Sequence, residues 1–188
     1  MEQNILQVKD LRVSYYTYAG EVQSVRGVSF YVKKGETLAI VGESGCGKSV
    51  TAKSIMRLIA DPGKIKDGSS IVFDGRDVLA MRKRELRSYR GDDCAMIFQD
   101  ALTSLDPTMK VGKQIAEVLK IHGKANGKRA AAQAVELLRQ VGIPNPERRA
   151  QEYPHQFSGG MRQRAMIATA LACSPKLLIA DEPTTALD

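Results

Sequence analysis

The sequence predicts an α/β fold with a helical segment inserted into it. Apolar and polar residues alternate over parts of the first 40 positions, most clearly at 28–32, which predicts β-strands. A glycine-rich loop at 42–49 then leads into a segment with helical periodicity. Two amphipathic helical segments between 108 and 143 interrupt the strands, and a further strand follows them. The chain must therefore leave its sheet and return to it, so we expect an α/β core with a helical insert at about 100–157.

The composition is typical of a globular protein with a sizeable core. The chain has 188 residues, of which 43% are hydrophobic and 26% are charged, and one large domain fits that length. No apolar run approaches the length that spans a bilayer, and the polar start does not resemble a signal peptide. We therefore expect the chain to be made and kept in the cytoplasm.

Charge and cysteine content limit the ligands to consider. The net charge of +7 suits an acidic partner, which is a nucleotide, a nucleic acid or an anionic membrane surface. Much of this charge lies at 82–90 and 110–149, where a solvated helix face is a better explanation than nucleic-acid binding. The three cysteines, Cys46, Cys94 and Cys173, are widely spaced, so we expect neither a metal site nor a disulfide framework.

The first 63 residues predict strands, a glycine loop and a helix, in that order. A turn at 33–36 precedes a short apolar strand at 37–41, which runs into the glycine loop. From Lys48 the apolar residues recur with the period of a helix, and the Asp-Pro-Gly sequence at 61–63 ends it. The predicted apolar face of this helix consists of Ala52, Ile55, Met56 and Ile59.

The rest of the chain returns to strands on either side of the helical segment. A strand at 71–73 and a tight Asp-Gly turn come first, followed by a further extended segment that ends at Leu79. A short buried strand is predicted at 95–98, just before Gln99, and a further apolar strand at 176–180. The apolar faces of the two intervening helices consist of Val111, Ile115, Val118 and Leu119 in one and Ala134, Leu137, Leu138 and Val141 in the other.

Residues 42–49 match the complete phosphate-loop (Walker A) pattern, G-x-x-x-x-G-K-[ST], with the sequence GESGCGKS. The glycines let backbone N–H groups wrap phosphates at a helix N-terminus. Lys48 is expected to reach the β- and γ-phosphates, and the Ser49 hydroxyl to bind Mg²⁺. The candidate phosphate-binding residues are Gly42, Glu43, Ser44, Gly45, Cys46, Gly47, Lys48, Ser49 and Val50.

Two acidic residues, Asp181 and Glu182, follow the last predicted strand. The carboxyl ends of parallel strands line the ligand crevice of an α/β sheet, so both side chains are expected there. Asp181 is assigned to hold Mg²⁺ through its water shell. Glu182 is assigned to orient the attacking water or to accept its proton.

A serine and two glycines, Ser158, Gly159 and Gly160, precede a helix that is predicted to run through Cys173. Serine is a good N-cap residue, and two glycines leave the first N–H groups of the helix unshielded. This helix terminus can therefore also take a phosphate. On this segment alone, an ordinary capped helix with a glycine-rich start is the alternative.

Five motifs in this order resemble those of the ATP-binding cassette (ABC) family. They are the phosphate loop, Gln99, the serine and glycines at 158–160, the acidic pair at 181–182 and the Ala-Leu-Asp sequence at 186–188. The resemblance covers essentially all of the chain. It implies an ABC-type P-loop NTPase fold and ATP with Mg²⁺ as the ligands.

The same resemblance implies an internal division of one ABC ATP-binding domain. The nucleotide-binding α/β core would comprise 1–99 and 158–188, with an antiparallel β-subdomain at its N-terminal end. A helical subdomain would occupy 100–157.

Three further residue roles follow from the resemblance. Gln99 would act in catalysis by sensing Mg²⁺ and water, and an aromatic residue near the end of the first strand would stack on adenine. Tyr15 is the first choice for that residue, ahead of Tyr16 and Tyr18. The serine and glycines at 158–160 would act in trans, on the nucleotide of a second cassette, and Asp188 would cross the dimer interface.

Within the family, the segments at 99–107 and 153–164 resemble the oligopeptide, dipeptide and nickel importer branch. Met161 stands where most cassettes have glutamine, although this branch often has methionine. Ala101 and Asp106 depart from the proline and asparagine that are expected in a loop facing the membrane partner.

The branch implies a transport ATPase at the cytoplasmic face of the cell membrane. Its partners would be a second ATPase subunit, identical or related, two membrane-spanning permease subunits and, indirectly, an extracytoplasmic solute-binding protein. No nucleic-acid partner is expected. The alternative is an ABC ATPase that acts on nucleic acid or the ribosome, but neither a coiled coil, a zinc module nor a second cassette is evident in the sequence.

One motif of the family has no counterpart in the sequence. The switch histidine of the family follows on a strand beyond the catalytic glutamate, and neither His122 nor His155 matches that position. We therefore expect the chain to be a C-terminally truncated part of a longer subunit that lacks its last strands. Such a part alone would bind nucleotide without hydrolysing it.

Overall fold

The computed structural model describes residues 4–99 and 104–182. The chain divides into two compact units, residues 1–86 and residues 87–188. None of the helices within the described residues has the length and apolar character needed to cross a bilayer. The division into a core and a helical subdomain at residues 99 and 157 stays a prediction.

The first unit is built on a five-stranded antiparallel sheet. Its strands are β1 (Asn4–Thr17), β2 (Gly20–Lys33), β3 (Gly63–Ile65), β4 (Ser70–Phe73) and β5 (Arg76–Asp77). Their order is β2-β1-β4-β5, and β3 pairs with β1 near its end. The tight turn predicted between β4 and β5 is confirmed, because Asp74 and Gly75 both have positive φ, at 46° and 77°.

Apolar side chains on the central strands form the core of the first unit. Each of them is at most 1% exposed: Leu6, Val8, Leu11, Val13, Ile71 and Phe73. Four of the six lie on β1, the strand that pairs with β2, β3 and β4. The long strand β1 therefore holds this unit together, and it also carries the tyrosine predicted to contact adenine.

The apolar strand predicted at 37–41 is not formed. Residues 36–43 have no regular secondary structure, and Leu38, Ile40 and Val41 are exposed, Val41 at 87%. A continuous apolar run is typical of a strand that is covered on both faces in a parallel sheet. Among the described residues no strand pairs with this segment, so its apolar pattern has no sheet to join.

Helix α1 (Lys48–Ile55) begins where the sequence predicts but ends earlier. Arg57 has a left-handed backbone, with φ of 50°, which ends the helical path. Its guanidinium donates hydrogen bonds to the carbonyl oxygens of Val78 and Met81, at 3.2 and 2.7 Å. These bonds fix the turn, so Ile59, predicted on the helix face, lies beyond the helix.

The basic segment at 82–90 contains a short helix, α2 (Lys83–Ser88), which has no buried residue. Tyr89, directly after it, is fully buried. An irregular turn at Tyr89–Asp93 then leads to the first strand of the second unit. The prediction of a solvated basic face is therefore confirmed for this helix.

The second unit combines two parallel strands with helices. Its elements are β6 (Cys94–Ile97), α3 (Val111–Ile121), α4 (Gly127–Gln140), α5 (Pro146–Arg149), a 3₁₀ turn (Pro154–Gln156), α6 (Gly159–Leu171) and β7 (Leu177–Ala180). The two strands and the two amphipathic helices predicted for this part of the chain are confirmed; β6 is buried, whereas β7 has no buried residue and Leu178 on it is 40% exposed. Their buried core includes Val111, Ile115, Ala130, Ala134, Leu138, Phe157, Ala165 and Ala168.

Candidate nucleotide-binding site

The phosphate loop leads directly into α1. Gly47 is the N-cap residue of the helix, with φ of +94°, and its carbonyl oxygen accepts a hydrogen bond of 2.8 Å from the Thr51 N–H. A Cβ atom at Gly47 would collide with the carbonyl oxygen of Ser24 on β2. Glycine is therefore required here both for its backbone conformation and for the close approach of the loop to the sheet.

Lys48 folds back over the phosphate loop. Its Nζ atom donates hydrogen bonds to the carbonyl oxygens of Gly42 and Glu43, both at 2.8 Å. The ammonium group thus lies beside the loop whose backbone is predicted to hold phosphates. A bound phosphate oxygen can replace these neutral acceptors with a charged one, which forms a stronger hydrogen bond.

The Cys46 thiol is exposed at the same loop. A Cβ atom built on Gly42 would lie 2.6 Å from Cys46 Sγ. The other two cysteines, Cys94 and Cys173, are buried, and burial raises the pKa of both thiols, that of Cys94 to about 12.

Tyr15 lies near the phosphate loop within the first unit. Gly47 contacts β2 at Ser24 and Val25, and Val25 pairs with Val13 on β1. Tyr15 is two residues further along β1 and is partly buried. With a strand spacing of about 4.8 Å and a rise of about 3.4 Å per residue, this chain of contacts keeps the ring close enough for one nucleotide to reach both it and the loop.

The other two candidate tyrosines have different surroundings. The Tyr16 hydroxyl accepts a hydrogen bond of 2.8 Å from Lys66 Nζ, which also forms an ion pair with Glu21 at 2.9 Å. The hydrogen bond to Tyr16 and the contact with Glu21 raise the pKa of Lys66 above its ordinary value. The ammonium of Lys64 also lies 5.8 Å from the centroid of the Tyr16 ring, whereas Tyr18 is fully exposed. Adenine stacking on Tyr15 stays a prediction.

Gln99 and Glu182 are brought together at the carboxyl ends of β6 and β7. The strands are parallel, Ile97 pairs with Ala180, and the Asp181 N–H donates a 3.0 Å hydrogen bond to the Ile97 carbonyl oxygen. Gln99 Nε2 donates a 2.6 Å hydrogen bond to Glu182 Oε2. Glu182 has a φ of 49°, which is uncommon for a residue other than glycine.

The two carboxylates at this end of the sheet differ in burial. Asp181 is only 8% exposed, whereas Glu182 is exposed. The described residues contain no cluster of three or more His, Cys, Asp or Glu side chains that could hold a metal ion by itself. Mg²⁺ is typically held by one or two carboxylates together with phosphate oxygens and water, so a single carboxylate such as that of Asp181 is the kind of donor that fits it.

The serine at 158 caps α6, as the sequence predicts. Ser158 Oγ accepts a hydrogen bond of 3.3 Å from the Met161 N–H. Phe157, just before the cap, is 3% exposed and belongs to the core, which fixes the start of the helix. A Cβ atom built on Gly159 would meet nothing within 4 Å. The N-terminus of α6 is therefore firmly placed and sterically open at Gly159.

The remaining predicted residues are placed as follows. Asp188 lies outside the described residues, so its predicted role is not addressed by the structure. His155 stacks on Tyr153, with ring centroids 5.7 Å apart. His122 lies against Gly91, where a Cβ atom would be 2.7 Å from its Nε2 atom. The phosphate loop belongs to the first unit, and Gln99, Ser158, Asp181 and Glu182 belong to the second.

Two features of the site were missed by sequence reasoning. The Ser24 carbonyl supports the phosphate loop, and Gly63 contacts the ring of Tyr15. A backbone carbonyl has no signature in the sequence, so Ser24 could not have been found. Gly63 was interpreted only as part of a helix stop, because its strand partner on β1 is 48 residues earlier in the chain.

Comparison with known proteins decides the family. The family model described as ABC transporter matches residues 25–185. The chain belongs to the ABC transporter family. The ABC fold expected from the sequence is also supported by a solved dimer, the post-hydrolysis state of the ATP-binding cassette MJ0796 bound to ADP and Pi. It matches with a TM-score of 0.86 and 29% identity over 97% of this chain and 76% of that chain.

Curated members of the ABC transporter family are more similar in sequence. The oligopeptide transport ATP-binding protein OppD of Bacillus subtilis (strain 168) is 60% identical over 98% of this chain and 51% of its own length. The dipeptide transport ATP-binding protein DppD of Lactococcus lactis subsp. cremoris is 56% identical over 100% of this chain and 54% of its own length. The chain thus spans about half the length of the curated relatives it matches.

Proposed function

We propose that this protein binds and hydrolyses ATP as a subunit of an ABC importer for oligopeptides or dipeptides. The observation that carries the proposal is the contact between Gln99 and Glu182 at the ends of two parallel strands. This contact brings together a carboxylate that can accept a proton and an amide that can orient the carboxylate. The names of the OppD and DppD relatives support peptides as the transported solute.

ATP binding is assigned to the first unit. Lys48 and the backbone N–H groups of 42–49 bind the phosphates, and the Ser49 hydroxyl contacts Mg²⁺. Tyr15 stacks on adenine, which is consistent with its place on β1 beside the strand that supports the loop. The ADP and Pi in the MJ0796 dimer support nucleotide as the ligand of this fold.

Hydrolysis is assigned to in-line attack of water on the γ-phosphate. Glu182 is the general base, and its exposed carboxylate can be reached by water. Gln99 holds that carboxylate through its hydrogen bond to Oε2 and contacts the water or the metal. Bound Mg²⁺ supplies positive charge that stabilises the transferring phosphoryl group, and Asp181 holds its water shell.

The protein is proposed to work as one of two cassettes. The start of α6, capped by Ser158 and open at Gly159, binds the nucleotide of the second cassette with its N–H groups and helix dipole. Asp188 is assigned to the interface between the cassettes. The dimeric MJ0796 structures support such a pair.

The pair is proposed to bind two membrane-spanning permease subunits at the cytoplasmic face of the cell membrane. An extracytoplasmic solute-binding protein delivers the peptide to those subunits. The relatives named for peptide transport support this assembly, and they give no support to an ABC ATPase that acts on nucleic acid or the ribosome.

The test is the Glu182→Gln variant in the assembled transporter. We expect its affinity for ATP to remain within about threefold of the parent, while kcat for hydrolysis and peptide uptake into proteoliposomes fall at least about 100-fold. Glu147→Gln, which changes an exposed glutamate in the second unit, is the matched control and keeps both activities. Turnover of Glu182→Gln near the parent rate would contradict the role of Glu182 as the base.

A further inference from the structure

Gly63 lies directly against the ring of Tyr15. A Cβ atom built on Gly63 would be 2.6 Å from Tyr15 Cε1 and 2.7 Å from Ile59 Cγ2. It would also be 3.0 Å from the Ala60 carbonyl oxygen. Real Cβ atoms essentially never come within 3.0 Å of another atom, so any side chain larger than hydrogen at Gly63 must displace the tyrosine ring and the isoleucine, or shift the backbone itself.

Backbone hydrogen bonds prevent Gly63 from moving away. Gly63 pairs with Tyr15 in the register of β1 and β3, and its N–H donates a 2.9 Å hydrogen bond to the Ala60 carbonyl oxygen. The N–H of Tyr16 donates a 3.2 Å hydrogen bond to the carbonyl oxygen of Pro62. The backbone around Gly63 is therefore held, and the Tyr15 ring and the Ile59 side chain are the groups that must yield to a methyl group.

The backbone conformation of Gly63 does not require glycine. Eleven glycines of the described residues have positive φ, but Gly63 is not among them. A residue with a side chain could adopt this backbone without strain. Glycine is consequently needed at position 63 for the space that a missing Cβ atom leaves, and not for its backbone conformation.

We propose that Gly63 is a positioning residue for the adenine contact. The missing side chain leaves the space at β3 that the edge of the Tyr15 ring occupies, so the ring keeps the orientation in which it would meet adenine. This inference rests on the proposed stacking of adenine on Tyr15. The selectivity of the site for a nucleotide over a bare triphosphate then depends on Gly63, a residue that touches no ligand.

The experiment compares two ligands, ATP·Mg²⁺ and inorganic tripolyphosphate·Mg²⁺, by titration calorimetry on the purified full chain. Tripolyphosphate has the phosphates but no base, so the ratio of the two affinities isolates the contribution of the base. Because base stacking on an aromatic ring contributes roughly tenfold or more in affinity, Gly63→Ala is expected to weaken ATP binding by about tenfold. Its affinity for tripolyphosphate should stay within about twofold of the parent.

Gly112→Ala is the matched control. A Cβ atom at Gly112 would be 2.7 Å from Ala150 Cβ and 2.8 Å from the Ala150 carbonyl oxygen, so this substitution is equally crowded but lies in the second unit. It is expected to lower the thermal midpoint without changing the ratio of the two affinities. Equal losses of ATP and tripolyphosphate binding in Gly63→Ala would overturn the proposal, since they would indicate a general loosening of the site.

The Tyr15→Ala variant separates this inference from the proposed function. If Tyr15→Ala leaves the affinity ratio unchanged, the assignment of Tyr15 to adenine is wrong. If Tyr15→Ala lowers the ratio but Gly63→Ala does not, only the role of Gly63 is wrong.

The double variant Tyr15→Ala/Gly63→Ala keeps the test valid if the single Gly63 variant fails to fold. Removing the ring removes the closest contact and leaves space into which the Ile59 side chain can turn, so the double variant should fold and bind ATP as Tyr15→Ala does. A further loss of ATP affinity in the double variant would overturn the proposal. So would a double variant that unfolds as completely as Gly63→Ala alone, because the ring would then not be the obstacle.

Discussion

The side-chain amide of Gln99 donates a 2.6 Å hydrogen bond to Glu182 Oε2 across two neighbouring parallel strands. The residues are 83 positions apart, yet each is the second residue after its strand. A slip of one residue in the strand pairing would turn one of the two side chains to the opposite face. The contact therefore reports the register of β6 and β7 as well as the geometry of the proposed catalytic pair.

Gln99→Glu should make the stability of the nucleotide-free protein depend on pH. Two carboxylates at hydrogen-bond distance repel each other unless the pair retains a proton. A proton retained only in the folded state contributes stability at low pH that is lost as pH rises. Because both side chains are exposed, we expect the thermal midpoint to fall by only about 1–2 °C more than in the parent between pH 5 and pH 8.

The Gln99→Ala variant is the control for this measurement, since it removes the hydrogen bond without adding a charge. Its midpoint should follow the pH dependence of the parent. An identical pH dependence of Gln99→Glu and Gln99→Ala would show that the contact is not maintained in solution.

Lys48→Ala should weaken ATP binding by at least about tenfold, because a charge-assisted hydrogen bond to phosphate contributes about 1.5–3 kcal/mol. Lys53→Ala, in the last turn of the same helix, is the matched control and should bind ATP within about twofold of the parent. Calorimetric titration with ATP·Mg²⁺ measures both. Equal affinities of the two variants would exclude Lys48 as a phosphate ligand.

Gly159→Ala should lower ATP hydrolysis by the assembled transporter without lowering the stability of the isolated protein. A methyl group here meets nothing within 4 Å in its own chain, and alanine favours helix over glycine, so the thermal midpoint should be unchanged or slightly higher. ATP binding by the isolated protein should also be unchanged. In the assembled transporter, hydrolysis should fall about tenfold, since the methyl group would enter the space of the partner's nucleotide. Full activity in the transporter would contradict the proposed contact in trans.

Thiol titration at pH 8 should find one fast-reacting cysteine in the native protein. Burial raises the pKa of Cys94 to about 12 and also raises that of Cys173, so both stay protonated and unreactive, whereas Cys46 is exposed. All three should react in urea. Cys46→Ser should abolish the fast phase, and saturating ATP should slow it in the parent. Fast reaction of two or more thiols in the native protein would contradict the burial described.

The local patterns predicted most of the elements near the site. The phosphate loop, its helix and the serine cap of α6 depend on residues close together in sequence, which a pattern can capture. The strand predicted at 37–41 failed because an apolar run forms a strand only where other strands flank it. The contact between Gly63 and Tyr15 depends on the pairing of β1 with β3, and neither segment alone has a sequence pattern that predicts this pairing.

The hydrogen bonds from Lys48 to its own loop have a consequence for the thermodynamics of ligand capture. A free lysine side chain loses about 2 kcal/mol of rotamer entropy when it is immobilised. Here the carbonyl oxygens of Gly42 and Glu43 already immobilise it before any ligand arrives. An incoming anion then binds a lysine that is already ordered, and the ammonium exchanges neutral acceptors for charged ones. Association of the anion should therefore be driven by enthalpy, with little further loss of lysine entropy.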